Sequence, residues 1–331
     1  MIISKTPFRM SFFGGGTDYP AWYMKNGGKV LVTTIDKYCY ISVRELPPFF
    51  DHKYRIVYSK IESVKKIDDI VHPAVKAVMN YHGCSQGLEI HHDGDLPARS
   101  GLGSSSSFTV GLVHALRALE GKISSKDQLA RDAIHIEQDL IGETVGSQDQ
   151  ISTSYGGLNK IDFHQNGTFD VEPVILPARR RKVLSNHLML FFTGFTRFAS
   201  AIAESQINNM HKKSKELEKM REMVDQAIDL LQDEQSSINA FGELLDQSWS
   251  YKRSLSDQVT TPEIDEIYAN AKKAGAIGGK LLGAGGGGFM LLFVSPDKQA
   301  AVREILNELI YVPFEFDDSG SRIMLYQPSV L

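Results

Sequence analysis

The sequence contains the stretch Leu96-Pro97-Ala98-Arg99-Ser100-Gly101-Leu102-Gly103-Ser104-Ser105-Ser106-Ser107, followed at once by an apolar segment over residues 108–120. Pro97 ends an extended segment, Gly101 and Gly103 allow a tight turn, and the serines open a helix that Gly121 closes. The first turn of a helix leaves N–H groups without partners and carries about half a positive charge. This stretch therefore predicts a phosphate-binding turn, in which the serine hydroxyls add donors and a candidate Mg²⁺ ligand.

Two simpler interpretations of this stretch are a flexible Gly/Ser linker and an ordinary helix N-cap. A linker would not run directly into a packed helical pattern, and a cap needs one serine where this chain has four in a row. Anion binding is therefore the interpretation we favour.

The composition is that of an average globular protein. A length of 331 residues predicts about two domains, and 42% hydrophobic with 23% charged residues predicts ordinary cores. The net charge of −4 argues against a protein that binds nucleic acids or anionic membranes in general. The two cysteines, Cys39 and Cys84, offer neither a disulfide framework nor metal-ligand spacing. With no visible signal peptide and no apolar run long enough to span a bilayer, we expect a cytoplasmic protein.

Predicted strands and helices are mixed along the chain without regular βαβ alternation, which favours an α+β fold. A polar, basic and proline-flanked segment over residues 173–182 marks the predicted boundary between domains at 1–180 and 181–331. Its run of basic residues, 179–182, fits a solvated linker better than a contact with a phosphorylated substrate.

Three local predictions bear on the site. Residues 29–35 and 38–44 predict a hairpin, and residues 314–326 predict a second one. A capping box at Ser125 predicts a helix to Ile141, with Gly142 and Gly146 leaving residues 146–150 as loop or strand. Glu137 on that helix and Asp149 beyond it could converge on one site, although solvated surface carboxylates are the simpler interpretation.

A glycine-rich turn over residues 283–288 formally satisfies the dinucleotide fingerprint Gly-x-Gly-x-x-Gly. That fingerprint requires a helix directly after the glycines, whereas residues 289–294 have strand character. No stretch supplies a Walker A motif. A dehydrogenase is therefore disfavoured.

Together the glycine turns resemble the three motifs of the GHMP small-molecule kinases. The matching segments are Pro7-Phe8-Arg9 with Gly15-Gly16-Thr17-Asp18-Tyr19, Pro97 to Ser105, and Lys280 to Gly288. The Gly-x-Gln-Asp-Gln variant at residues 146–150 most resembles the branch that phosphorylates D-glycero-D-manno-heptose 7-phosphate at its anomeric hydroxyl, with galactokinases and fucokinases as relatives. The resemblance implies an N-terminal domain like ribosomal protein S5 domain 2, a ferredoxin-like C-terminal domain, and ATP in the cleft between them.

The resemblance also implies site residues. Asp149 matches the catalytic carboxylate, Arg9 the cation beside the transferring phosphoryl group, and Ser105 with Glu137 the Mg²⁺ ligands, with Ser104 as an alternative because the serine run leaves the register open. The predicted ATP-binding residues are Arg99, Ser100, Gly101, Leu102, Gly103, Ser104, Ser105 and Ser106. The predicted substrate-binding residues are Gly16, Thr17, Asp18, Gly157, Arg197, Lys280, Gly285 and Gly286.

The substrate is expected to be a phosphorylated sugar, used in the route to nucleotide-activated heptose. Galactokinases carry Gly-Glu-His before Thr-Asp, whereas this chain has Gly14-Gly15-Gly16, which disfavours galactose. A second phosphate needs a basic pocket, for which Arg99, Arg197 and Lys280 are the candidates. A free-sugar kinase and a catalytically silent sugar sensor are the alternatives. The apolar faces of helices predicted over 199–256 fit either a homodimer contact or packing inside the C-terminal domain.

Overall fold

The structure is a computed structural model that describes residues 1–98, 100–194 and 199–328. The strands are β1 (Ile2–Phe13), β2 (Gly28–Glu45), β3 (Tyr54–Val57), β4 (Ile61–Val64), β5 (Leu88–Gly94), β6 (Asn159–Phe163), β7 (Phe169–Pro173), β8 (Leu188–Phe192), β9 (Ala276–Leu281), β10 (Phe289–Val294), β11 (Ile310–Tyr311), β12 (Phe316–Asp317) and β13 (Arg322–Tyr326). The helices are α1 (Pro20–Asn26), α2 (Pro73–Tyr81), α3 (Ser104–Leu119), α4 (Lys126–Ile134), α5 (Gln148–Tyr155), α6 (Ala178–Asn186), α7 (Ala199–Asn209), α8 (Ser214–Gln232), α9 (Asn239–Ser254), α10 (Pro262–Lys273) and α11 (Gln299–Ile305). Short 3₁₀ turns occupy Ile67–Asp69 and Pro296–Lys298, and a π-helical segment occupies His135–Leu140. Among the helices of the described ranges, none combines the length and apolar character needed to cross a bilayer.

The first sheet is built on a long antiparallel pair, β1 and β2, and its main strand order is β13-β1-β2-β5-β3-β4. β6 also pairs with β2, and β7 pairs with β6. The predicted hairpin over residues 29–44 is wrong, because β2 is one continuous strand. The pairing passes from Pro7–Tyr38 to Phe8–Ile35, so Asp36 and Lys37 form a bulge and not a turn.

The last two strands return to the first sheet. β12 pairs with β2 and β13 pairs with β1, with Ile2 opposite Tyr326, so the predicted hairpin between them is wrong. These strands lie in the sequence range that we assign to the C-terminal domain. The boundary near residue 180 stays a prediction.

The second sheet is antiparallel, in the order β11-β8-β10-β9. Phe241 on α9 connects it to the first sheet: its ring meets Phe12 and Phe13 edge-on at 5.6 and 5.2 Å between centroids, and it lies 5.9 Å from Phe293 of β10. Edge-to-face aromatic contacts stabilise a core beyond their area burial. The two sheets therefore pack through a shared apolar core, and this packing sets the position of one sheet relative to the other.

Two helices next to the first sheet differ in how well they were predicted. The cap at Ser125 is confirmed, since its hydroxyl accepts the Gln128 N–H at 3.0 Å. The prediction of loop or strand over residues 146–150 holds for residues 146–147 and is wrong from Gln148, where α5 begins. Gly146 allows the backbone to pass close to the Asp18 side chain, and a helix still begins two residues later.

Candidate functional site

The predicted phosphate-binding turn leads into α3. Gly101 and Gly103 have φ of 82° and 75°, the left-handed region that favours glycine. Gly103 occupies the N-cap and has no side chain to cap the helix, which leaves first-turn N–H groups for an anion. The preceding Leu102 is fully buried and its carbonyl accepts the Arg9 N–H at 3.0 Å, which ties the turn to β1. A backbone hydrogen bond and a buried side chain thus anchor the turn to the first sheet.

The third glycine turn, at residues 283–288, lies directly on the phosphate-binding turn. A methyl group at Gly283 would lie 2.5 Å from the Gly101 Cα, and one at Gly288 would lie 2.3 Å from the Ser100 carbonyl oxygen. Such distances are inside van der Waals contact, so only glycine fits at these points. Backbone from the second half of the chain therefore closes on the phosphate-binding turn.

An ion pair lies at the mouth of the turn. Arg9 donates from Nε to Asp149 Oδ1 at 2.7 Å and from Nη2 to Asp149 Oδ2 at 2.6 Å, and its Nη1 donates to the Gly101 carbonyl at 2.6 Å. Asp149 comes from the first turn of α5, and its side chain keeps 23% of its surface exposed, whereas Arg9 is buried. This bidentate geometry holds a carboxylate at a fixed position beside the anion site.

A second carboxylate, Asp18, lies buried in the turn after β1. It accepts the Gly16 N–H at 2.8 Å and the Gln148 amide N–H at 2.9 Å. A methyl at Gly146 would lie 1.9 Å from its Oδ2, which explains that glycine. Burial raises the pKa of Asp18, and the nearby Asp149 charge also raises it, against the lowering effect of the Gly16 hydrogen bond.

Two buried oxygens close to Gly15 or to the Asp18 contact have no hydrogen-bond partner among the described residues. These are Oγ of Ser11, which lies near Gly15, and Oε1 of Gln148, whose amide nitrogen bonds Asp18. Buried polar atoms are ordinarily paired, so unpaired ones are suited to bind the hydroxyl groups of a ligand.

Glu137 lies within the π-helical segment and meets α3 at Ser106. Ser106 Oγ donates to its Oε2 at 2.9 Å and Gln150 Nε2 donates to the same oxygen at 2.5 Å, while its Oε1 accepts no hydrogen bond of normal geometry among the described residues. Burial raises the pKa of Glu137 to about 7, and the Thr109, Gln150 and Ser106 side chains oppose this rise. A buried carboxylate with an oxygen still available is suited to bind a cation.

The serine that meets Glu137 is a neighbour of the predicted metal ligand. Ser106 is buried against the carboxylate, whereas Ser105 is exposed. Neighbouring positions on a helix point about 100° apart, so the two serines cannot both face Glu137 in this arrangement. That Ser105 and Glu137 hold Mg²⁺ stays a prediction, and the contact with Glu137 makes Ser106 a further candidate.

Four predicted substrate contacts also make hydrogen bonds within the protein. Thr17 donates to the Gly14 and Lys29 carbonyls, Gly157 donates its N–H to Thr34 Oγ1 and the Asp317 carbonyl, and Gly286 donates its N–H to the Val259 carbonyl. Lys280 is 2% exposed, and its Nζ donates to the Phe12 carbonyl at 2.9 Å. The burial of Lys280 argues against its predicted place in a phosphate pocket, and the other three substrate contacts stay predictions.

The other predicted substrate-binding residues lie in two different turns or outside the described residues. Gly16 and Asp18 lie together in the turn after β1, and Gly285 packs on Val259, where a methyl would lie 2.6 Å from the carbonyl oxygen. Arg99 and Arg197 lie outside the described residues.

Lys252 on α9 was missed by the sequence reasoning. It is 6% exposed and donates from Nζ to the carbonyls of Leu281, at 3.2 Å, and Gly283. A signal was present, since Lys252 follows Leu245 and Trp249 at helical spacing on the buried stripe of α9. A lysine on an apolar stripe of a helix is unusual, and its position indicates a specific role for the buried charge.

Comparison with known proteins identifies the family of this chain. The family model for the GHMP kinases N terminal domain matches residues 69–157, and that for the GHMP kinases C terminal part matches residues 227–312. The chain is 31% identical to the D-glycero-alpha-D-manno-heptose 7-phosphate kinase of Campylobacter jejuni, over 96% of this chain and 97% of that protein. It is 28% identical to the L-fucokinase/L-fucose-1-P guanylyltransferase of Bacteroides fragilis, over 93% of this chain and 36% of that protein.

Among solved structures, a D-glycero-D-manno-heptose 1-phosphate kinase from Bacteroides thetaiotaomicron has a TM-score of 0.80 over 98% of this chain and 99% of that chain. The two chains are 23% identical, and their structural similarity shows a shared fold. The α+β, two-domain kinase fold predicted from the glycine motifs is thus confirmed. The chain belongs to the GHMP kinases and is a sugar kinase, a phosphotransferase with an alcohol group as its acceptor.

Proposed function

We propose that this protein transfers the γ-phosphoryl group of ATP to the anomeric hydroxyl of D-glycero-D-manno-heptose 7-phosphate, giving the 1,7-bisphosphate. The observation that carries the proposal is the fixed Arg9–Asp149 pair at the mouth of the glycine turn, with the Asp18–Gln148 pair beside it. The full-length similarity to the Campylobacter jejuni heptose 7-phosphate kinase supports the choice of sugar. The product would enter the synthesis of nucleotide-activated heptose.

Phosphoryl transfer depends chiefly on positioning and on charge stabilisation. Residues 100–106 supply backbone and hydroxyl donors for the triphosphate at the start of α3. Among the described residues there is no cluster of three or more His, Cys, Asp or Glu side chains, so a metal would rely on few protein ligands. This suits Mg²⁺, which needs only one or two carboxylates and otherwise keeps waters and phosphate oxygens. Glu137 with a serine of the first turn of α3 would hold it, and Mg²⁺ would neutralise phosphate charge.

Asp149 is placed to orient the acceptor hydroxyl and take its proton. As the sugar oxygen bonds to the γ-phosphorus, the bond from phosphorus to the β,γ-bridging oxygen breaks, and the hydroxyl proton passes to the Asp149 carboxylate. Arg9 keeps that carboxylate in position and lies where charge gathers on the transferring group. An anomeric hydroxyl is more acidic than an ordinary alcohol, so a carboxylate base is adequate.

Asp18 and Gln148 would recognise the sugar. The Asp18 carboxylate is fixed by Gly16 and Gln148, and the free Oε1 of Gln148 can accept a hydrogen bond from a sugar hydroxyl. These groups take the place of the Glu-His contacts that galactokinases carry and this chain lacks.

A kinase for a free sugar such as L-fucose is the second candidate. One observation favours it: Lys280, which we expected in a pocket for the second phosphate, is buried and bonded to the Phe12 carbonyl. The similarity to the bacterial L-fucokinase is consistent with this alternative.

The test is ADP release with Mg-ATP against heptose 7-phosphate, heptose, L-fucose, galactose and mannose, with phosphorus NMR to locate the new phosphate. We expect turnover on heptose 7-phosphate and a new anomeric phosphate signal. Turnover confined to a free sugar would replace the proposal with the second candidate. Free heptose is the matched control, because it differs from the proposed substrate only in lacking the 7-phosphate.

A further inference from the structure

A buried ammonium group lies close to the transfer site and has no role in the mechanism above. Lys252 projects from α9, in the second half of the chain, and only 6% of it is exposed. Desolvating an ammonium ion is costly, so a lysine in such a place is retained only if hydrogen bonds or nearby charges compensate it.

The hydrogen bonds of Lys252 converge on one short piece of backbone. Its Nζ donates to the carbonyl of Leu281, the last residue of β9, and to that of Gly283, the first glycine of the third glycine turn. An ammonium group has three donors, and these two bonds fix the point at which the strand becomes the turn.

That piece of backbone rests on the phosphate-binding turn. Gly283 packs on Gly101 so closely that a methyl on the former would lie 2.5 Å from the Cα of the latter. The Gly101 carbonyl in turn accepts Nη1 of Arg9 at 2.6 Å. A continuous set of contacts therefore runs from Lys252 through two glycines to Arg9.

We propose that Lys252 is a positioning residue for the nucleotide: it holds Gly283 against Gly101 and adds a positive charge to the site, so that both halves of the chain complete the binding of the triphosphate. The proposal rests on the kinase activity of the family and not on the identity of the sugar.

The charge of Lys252 is sensitive to pH. Burial lowers its pKa to about 8, repulsion from Arg9 adds to this, and Asp18 and Asp149 oppose it. Lys280, the other buried lysine nearby, is repelled by Lys252 in turn. In the nucleotide-free protein, Lys252 therefore loses its proton as the pH rises through about 8. An arginine at this position would stay charged.

The experiment compares Lys252→Met, Lys252→Arg and the control Lys272→Met by calorimetric titration with ATP in the absence of sugar. Lys272 is a matched control, because its Nζ donates to the Ile277 carbonyl at the opposite end of β9. For Lys252→Met we expect the Kd of ATP to rise about tenfold, the effect of losing one charged hydrogen bond. Lys272→Met should leave it within about twofold, a change too small to count as a lost interaction.

The arginine variant and the pH profile separate charge from packing. Wild-type affinity for ATP should fall as the pH rises from 7 to 9, whereas Lys252→Arg should recover most of the affinity and remain flat over that range. An unchanged Kd in Lys252→Met, or a wild-type Kd that does not vary with pH above 7, would overturn the proposal. Since no sugar is present, this result is independent of which sugar the enzyme phosphorylates.

Discussion

The phosphate-binding turn around Gly101 and Gly103 and the third glycine turn are both rich in glycine and have opposite uses. In the phosphate-binding turn, Gly101 and Gly103 shape a turn that opens α3 and leaves helix N–H groups for a ligand. The third glycine turn leads into β10, and its backbone contacts Val259, Ser100 and Gly101. Glycine in the phosphate-binding turn presents donors, whereas glycine in the third turn permits close approach of backbone to backbone. The element that follows the glycines differs accordingly: a helix follows the phosphate-binding turn, and a strand follows the third glycine turn.

The largest expected effect is at Asp149, which lies against the phosphate-binding turn. Asp149→Asn should lower kcat by about 10³-fold, because the acceptor hydroxyl loses its base while Arg9 keeps an acceptor in the amide oxygen. The Kd of ATP should change little. Steady-state kinetics and calorimetric titration measure both quantities. Near-normal kcat would remove Asp149 from its role and leave the phosphate-binding turn as a binding element alone.

A smaller effect is expected at Glu137, where α3 meets the π-helical segment. Its pKa of about 7 lies above the unfolded value of 4.5, so the folded protein binds the proton more tightly. The contribution of Glu137 to stability is therefore fully present below pH 4.5 and is lost as the pH rises to about 7, by roughly 3 kcal/mol in total.

Glu137→Gln should remove that slope. Denaturant unfolding without Mg²⁺, at several values between pH 4.5 and 8, measures it. Asp139→Asn, an exposed carboxylate in the same segment, is the control and should keep the wild-type slope. Parallel curves for wild type and Glu137→Gln would contradict the prediction.

A pair of glycine substitutions compares the two turns directly. Gly101→Ala and Gly285→Ala both place a methyl in a positive-φ position and against a carbonyl oxygen, at 2.5 and 2.6 Å. Each should cost about 1–3 kcal/mol of stability. Beyond that shared loss, we expect only Gly101→Ala to raise the Kd of ATP strongly at temperatures where both variants are folded. Equal rises in Kd would mean that the third turn also presents donors to the nucleotide.

The smallest expected effect concerns the two serines. Ser106→Ala removes the donor to Glu137 and should raise the Mg²⁺ concentration for half-maximal rate by about threefold to tenfold, as expected for one hydrogen bond. Ser105→Ala should have the smaller effect. The reverse order would show that Ser105 turns toward the metal when it binds, as the family resemblance implies. Activity titrated with Mg²⁺ at fixed ATP distinguishes these outcomes.

The glycine motifs predicted the family, and the mixture of strands and helices predicted the α+β class. The Ser125 cap was predictable because helix caps are local signals. The family resemblance assigned Arg9, Asp18 and Asp149 to one site. The continuous β2 could not be predicted locally, since Asp36 fits a turn and forms a bulge in which it exchanges hydrogen bonds with Glu315, far along the chain. The contacts of Lys280 and of Thr17 with Lys29 likewise join residues distant in sequence. Glycine number alone does not say whether a backbone N–H faces a ligand or a neighbour.

The pairing of β13 with β1 has a consequence for how the chain folds. Ile2 and Tyr326 are partners although they lie far apart in sequence, so β1 obtains one of its two neighbours only when distant parts of the chain meet. Contacts between residues so distant in sequence close slowly, and an unpaired strand edge invites association with other chains until they close. Because β1 also carries Arg9, the site depends on the same long-range pairing. A variant that cannot pair β13 with β1 is therefore expected to lose activity and to aggregate.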